Sequence, residues 1–197
     1  MKNINAVDLE GLFQSDLSKD ELKSLLDLVA QASWWVSPKV YQSVPIVYPK
    51  TRRKKGQETR GQIVDGVRLW FNEPASYAFW LGMGKSTNEV TNFYVCHIYD
   101  GSVWDSKHFT NLANMSAFPK CLQSLSEWKP VADVLKYHSY KIYGYTGLNN
   151  EIPEKPEYFP ESWSHVHDST DNEMKRIIEK LKDQAFNRPT YNSKDSF

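Results

Sequence analysis

Residues 90–128 restrict the fold of this chain more than any other stretch. Residues 90–99 are rich in β-branched and aromatic side chains, with His97 near the far end, and that composition predicts a strand. A polar run containing Gly and Asp comes next, at 100–111, and predicts a loop. Residues 112–118 form a second short apolar run that includes Asn114 and read as another strand. Pro119 then stands where a helix would begin, since its missing N–H is no loss in a first turn. Leu122, Leu125 and Trp128 come after it at i, i+3, i+6 as an apolar helical stripe that Pro130 interrupts. The predicted order is therefore strand, loop, strand, helix. His97 leaves the first strand and Asn114 sits on the second.

That order resembles the ββα-metal finger of the HNH endonucleases, on Cys96-His97-Ile98, on Asn114-Met115-Ser116-Ala117-Phe118, and on residues 119–125. Segments 34–41 (WWVSPKVY), 65–80 (DGVRLWFNEPASYAFW) and 96–105 (CHIYDGSVWD) are similar to parts of small bacterial HNH-type proteins associated with restriction. The resemblance implies an α+β domain with the finger embedded at about 90–130. It also implies a metal-dependent endonuclease that hydrolyses phosphodiester bonds of duplex DNA in restriction or phage defence. His97 would be the general base, because an imidazole with a pKa of about 6.5 is mostly basic at neutral pH. Asn114 would hold the loop that presents it. A divalent cation, Mg²⁺ or Mn²⁺, would neutralise the scissile phosphate. Gln123, nine residues beyond Asn114, and Asp105 are its expected ligands, with His108, Asn111 and Glu127 as further polar candidates.

One position departs from the pattern. Where the family carries an acidic or histidine ligand just before the catalytic histidine, this chain has Cys96, and hard cations prefer oxygen. A non-catalytic DNA-binding or assembly subunit with a degenerate finger is therefore the alternative. A protein-interaction module using aromatic surface and the C-terminal helix is a third reading.

DNA binding needs positive charge, and the chain is neutral overall, with 24 Lys and Arg against 24 Asp and Glu. The charge is concentrated locally. Residues 50–60 hold Lys50, Arg52, Arg53, Lys54, Lys55 and Arg60 against one acid. Such a run is the expected phosphate contact, and it would make binding fall steeply with salt.

The remaining segments bound the class. With 197 residues, 40% of them hydrophobic and 14% aromatic, the chain can build a sizeable core. We expect a single domain over 1–148, a proline-rich connector over 149–170, and a C-terminal helix with a tail over 171–197. Ser18 and Glu21 form a capping box ahead of Leu22, Leu25, Leu26 and Val29. Trp34 and Trp35 read as core anchors, and residues 37–49, with three prolines, as extended chain or an edge strand. Residues 62–71 read as one strand, followed by a helix that stops at Gly82 or Gly84. Residues 131–137 predict a short helix and 139–145 a strand.

Several tempting motifs carry no function. Gly84-Lys85-Ser86 is not a phosphate loop, because Phe79 occupies the place of its first glycine. His165 and His167 lack a third ligand nearby. The Asn114-Met115-Ser116 sequon falls in a strand without a signal peptide to expose it. Two cysteines make no disulfide framework, and no apolar run reaches the roughly 18 residues of a membrane span. The expected setting is the cytoplasm, with DNA as partner and a homodimer or a defence-system protein as the further association.

Overall fold

The computed structural model describes residues 17–47, 63–64, 67–68, 75–87, 89–105, 107–163, 165–166 and 170–186. The basic run at 50–60 and His167 lie outside them. Helices and strands alternate along the chain in an α+β arrangement, with a four-stranded sheet through the middle.

Helix α1 (Lys19–Ala32) opens on the expected capping box. The Ser18 N–H donates to Glu21 Oε2 at 2.8 Å, and the Glu21 N–H donates back to Ser18 Oγ at 3.3 Å. Strand β1 (Trp34–Trp35) comes directly after it and takes an interior place in the sheet. The extended run expected at 37–49 contains instead a short helix, α2 (Pro38–Ser43). Pro38 sits at the start of that helix, where it costs no hydrogen bond, so a proline read as a strand-edge signal is here a helix-start signal. The single strand expected at 62–71 is, in its described parts, a hairpin of β2 (Ile63–Val64) and β3 (Val67–Arg68). Helix α3 (Ala75–Gly82) stops as expected, with Gly84 in the left-handed region at φ +67°.

Strands β4 (Phe93–His97) and β5 (Met115–Pro119) pair antiparallel along their whole length, from Phe93 opposite Pro119 to His97 opposite Met115. Asn114 is not on the strand. It closes a 3₁₀ turn (Leu112–Asn114) immediately before β5. Pro119 is the last residue of β5, and the next element is a 3₁₀ helix, Lys120–Glu127, rather than an α-helix. The i, i+3, i+6 spacing of Leu122, Leu125 and Trp128 is the three-residue repeat of that tighter helix.

Helix α4 (Lys129–Tyr143) then runs through the segment expected to be a strand. Val131, Val134, Leu135, His138 and Ser139 are buried at i, i+3, i+4, i+7, i+8, a helical face that outweighs the local β-propensity of 139–145. Gly144, at φ +70°, ends it. Strand β6 (His165–Val166) lies parallel to β1 and completes the sheet in the order β4-β5-β1-β6. Helix α5 (Asp171–Phe186) begins with a second capping box between Thr170 and Glu173.

Strand periodicity divides the interior into two cores. Met115 and Ala117 of β5 face a layer made with Val40, Phe79, Trp80, Ile177 and Leu181, so α2, α3 and α5 cover one side. Phe118, Cys96 and Trp35 face Val29, Leu125, Trp128, Val131 and Leu135, so α1, the long 3₁₀ helix and α4 cover the other. The apolar face of α5, including Met174, Ile177 and Leu181, is thus buried in the same core as residues before position 148. No helix among the described residues is long and apolar enough to cross a membrane.

His138 lies within the second core, only 4% exposed, with neither ring nitrogen hydrogen-bonded. Its ring stacks on Trp163 at 3.6 Å between centroids and meets Trp35 edge-on. Burial, with Lys141 nearby, pushes its pKa down to about 3. An unfolded histidine titrates at about 6.5. The unfolded chain therefore takes up a proton first as pH falls, and folding stability is lost across the interval from about 6.5 down to about 3, at up to roughly 1.4 kcal/mol per pH unit. His138→Phe should remove that loss. Urea unfolding at about pH 7 and about pH 4 should show a smaller drop for the variant than for the wild type by at least about 1 kcal/mol.

Candidate functional site

The two strands β4 and β5 are joined by residues 98–114, and polar groups of this loop make many of its own turns. Gly101, at φ +73°, opens a 3₁₀ turn (Ser102–Trp104). Asp105 then ties the next turn. Its carboxylate Oδ1 accepts the Lys107 N–H at 2.7 Å, and its carbonyl accepts the N–H groups of His108 and Phe109. Asn111 Oδ1 accepts the Ala113 N–H at 3.0 Å and starts the turn that ends in Asn114.

Asn114 is completely buried and spans the loop with both ends of its amide. Oδ1 accepts the Tyr99 N–H at 3.2 Å, and Nδ2 donates to the His108 carbonyl at 3.0 Å. Its own carbonyl accepts the Ile98 N–H at 2.9 Å. One side chain therefore pins the backbone just after His97 to the far side of the loop. The loop-holding geometry expected of this residue is present.

His97 ends β4, half-buried, with its ring stacked on Phe109 at 5.3 Å and 12° between planes. Its Nε2 lies 2.8 Å from the Phe109 carbonyl oxygen. A carbonyl can only accept, so Nε2 carries the proton and the lone pair of the neutral ring resides on Nδ1. Backbone geometry thus selects one tautomer of the histidine.

The expected cation ligands are not assembled in the same way. Cys96 and His97 are neighbours on a strand, so their side chains leave opposite faces of the sheet. The Cys96 thiol is buried in the α1 and α4 core, donates to the Ser116 carbonyl, and burial pushes its pKa up to about 12. It stays a thiol and belongs to the packing. Asp105 remains on the loop, with one carboxylate oxygen engaged by Lys107. Gln123 is half-buried in the 3₁₀ helix beyond β5, its backbone carbonyl accepting from Ser126. Glu127 is exposed at the end of that helix, and Asn111 is spent on its turn. No group of three His, Cys, Asp or Glu suited to a metal ion occurs among the described residues. Lys50, Arg52, Arg53, Lys54, Lys55 and Arg60, the expected phosphate contacts, lie outside the described residues.

Two groups escape sequence reasoning. Ser139 of α4 donates to the Ala113 carbonyl at 2.6 Å, and Tyr145 places its hydroxyl 2.5 Å from His108 Nδ1. Both come from a segment that reads as a strand, and nothing local in the sequence links them to the loop.

Comparison with protein-family models, with curated proteins and with solved structures finds no match to this chain.

Removing the amide of Asn114 strands a buried N–H and a buried carbonyl, each costing about 1–3 kcal/mol. Asn114→Ala should lower unfolding stability by roughly 2–4 kcal/mol in urea titration. Asn114→Asp should be no milder at neutral pH, since it keeps the acceptor for Tyr99 but buries an unpaired carboxylate and sets its second oxygen against the His108 carbonyl.

Proposed function

We propose that this protein is a DNA endonuclease of the HNH type in which His97 is the general base. The observation that carries the reading is the Nε2–H···O=C hydrogen bond from His97 to Phe109, in a loop braced by Asn114. Such a bond orients the imidazole, leaves Nδ1 as the basic nitrogen, and stabilises the imidazolium once it forms.

In the hydrolysis, a water oxygen attacks phosphorus while its proton passes to His97 Nδ1. The bond from phosphorus to the leaving sugar oxygen breaks, and solvent protonates that oxygen. Asn114 contributes by position only, keeping residues 97–99 and 108–109 in register. The basic residues of 50–60 would neutralise phosphates along the strand. Their contribution is salt-dependent and blind to sequence. A restriction or phage-defence setting and a protein partner from such a system belong to the same proposal.

A divalent cation, Mg²⁺ or Mn²⁺, is the cofactor that the HNH likeness implies. The described side chains do not fit a closed site for it. Asp105 is one of two carboxylates within the histidine loop, the other being Asp100, and Mg²⁺ sites commonly complete their shell with water and substrate phosphate. The burial of Cys96 on the opposite face favours a second reading, in which the chain binds DNA without cutting it.

Plasmid DNA incubated with the protein in Mg²⁺ or Mn²⁺ should be nicked or linearised. His97→Ala should lose on the order of 10²–10⁴-fold in rate, the usual contribution of a general base. Salt-sensitive DNA binding with no cleavage by the wild type would establish the second reading instead. Neutral replacement of Lys50, Arg52, Arg53, Lys54, Lys55 and Arg60 should flatten the salt dependence of binding in either case.

A further inference from the structure

We propose that Tyr145 is a positioning residue for His97, acting through His108 and the backbone that carries the Phe109 carbonyl. The inference rests on reading His97 as the proton acceptor. It adds to that reading a second tether, from a segment outside the β4-loop-β5 unit.

Consecutive residues divide the work. The His108 carbonyl accepts from Asn114 at 3.0 Å, and the Phe109 carbonyl accepts from His97 at 2.8 Å. The orientation of both carbonyls depends on where residues 108 and 109 are held. Asn114 holds them from the β5 side. The Asp105 carbonyl holds their N–H groups from within the loop, and the tether from outside it is the His108 imidazole, whose Nδ1 meets the Tyr145 hydroxyl at 2.5 Å, although the two residues are 37 apart in sequence.

The segment carrying Tyr145 is shaped for that contact. Helix α4 stops at Gly144, and Gly144 and Gly147 both adopt left-handed backbone, at φ +70° and +72°. Two such residues three apart turn the chain back over the loop, which side chains at those positions would oppose. Gly147 has a second reason to lack a side chain, because a Cβ there would come within 2.4 Å of the Tyr99 ring. Tyr99 in turn packs edge-on against Tyr145 at 5.4 Å. Tyr145 is 7% exposed, so its ring cannot leave the loop without opening this contact. The Ser139 hydroxyl, on the preceding helix, fixes the Ala113 carbonyl next to Asn114. Helix α4 and the turn after it therefore form a back wall that grips the loop at 108 and at 113.

Burial pushes the Tyr145 phenol above its ordinary range, so it keeps its proton. Its only hydrogen-bonding group among the described residues is His108 Nδ1. A hydroxyl can donate or accept, so it pairs with either tautomer of His108.

The test uses the full-length protein carrying Tyr145→Phe, which removes the hydroxyl and leaves the ring. Imidazole resonances are read by ¹⁵N–¹H NMR, together with plasmid cleavage. In the wild type, the His97 Nε2–H should be protected from solvent exchange by Phe109, and His108 Nδ1 should show the shift of a hydrogen-bonded ring nitrogen. Tyr145→Phe should abolish that shift and speed exchange of the His97 Nε2–H by about tenfold, the equivalent of about one net hydrogen bond. The cleavage rate should fall by a similar factor with KM for DNA unchanged. His108→Asn, which keeps an acceptor near the Nδ1 position, should retain the His97 protection that His108→Ala loses. These two variants leave the buried tyrosine ring untouched, so the question is answered even if Tyr145→Phe does not fold. An unchanged His97 exchange rate in Tyr145→Phe, or equal loss in His108→Asn and His108→Ala, overturns the proposal. Absence of any cleavage by the wild type counts against the nuclease reading alone, because the NMR exchange rates decide the positioning independently of it.

Discussion

The site depends on one buried carboxamide. Asn114 has an acceptor and a donor on the same carbon, and it uses the first on Tyr99 N–H and the second on the His108 carbonyl. A carboxamide offers both in one plane and without a charge. Because the residue is fully buried, neither bond can be exchanged for water. A loop of this length would otherwise sample many arrangements. Here the backbone after His97 and the backbone that receives the His97 proton are tied to the same few atoms. The tautomer of the histidine is thus a consequence of loop closure, and loop closure is a consequence of Asn114.

The sheet supplies the second constraint. Its two-residue period puts Phe93, Val95 and His97 on one face and Cys96 on the other, and each face has its own helical cover. A resemblance read along the sequence treats Cys96 and His97 as adjacent members of one site. In space the sheet lies between their side chains. The thiol is a packing element between helices, with a pKa raised to about 12 by burial, whereas the imidazole faces the loop. If His97 acts as proposed, the charge beside it comes from the loop or from the substrate, because the sheet separates it from Cys96.

Several elements are readable from local pattern because local physics decides them. The Ser18–Glu21 capping box, the stop of α3 near Gly84, the paired β-rich runs around His97 and the span of α5 all arise from hydrogen-bonding or φ requirements within a few residues. Others mislead where one local signal has two uses. Pro38 suits an edge strand and a first helical turn equally well, and the helix prevails. The residues of 139–145 have β-propensity, yet His138 and Ser139 complete a buried stripe begun at Val131, so packing against the sheet makes them helical. The three-residue spacing from Leu122 to Trp128 is itself the mark of a 3₁₀ helix.

The sequence by itself determined that a histidine would end a strand and that a polar loop would separate it from a second β-rich run. It also determined an α+β mixture, because strand and helix periodicities alternate along the chain and each is a short-range property. Only the tertiary structure decided which histidine nitrogen carries the proton, on which face Cys96 is buried, and that Tyr145 and Ser139 reach back to the loop. Those outcomes depend on contacts between residues tens of positions apart, brought together when α4 packs on the sheet. No periodicity or propensity within a segment encodes such a meeting.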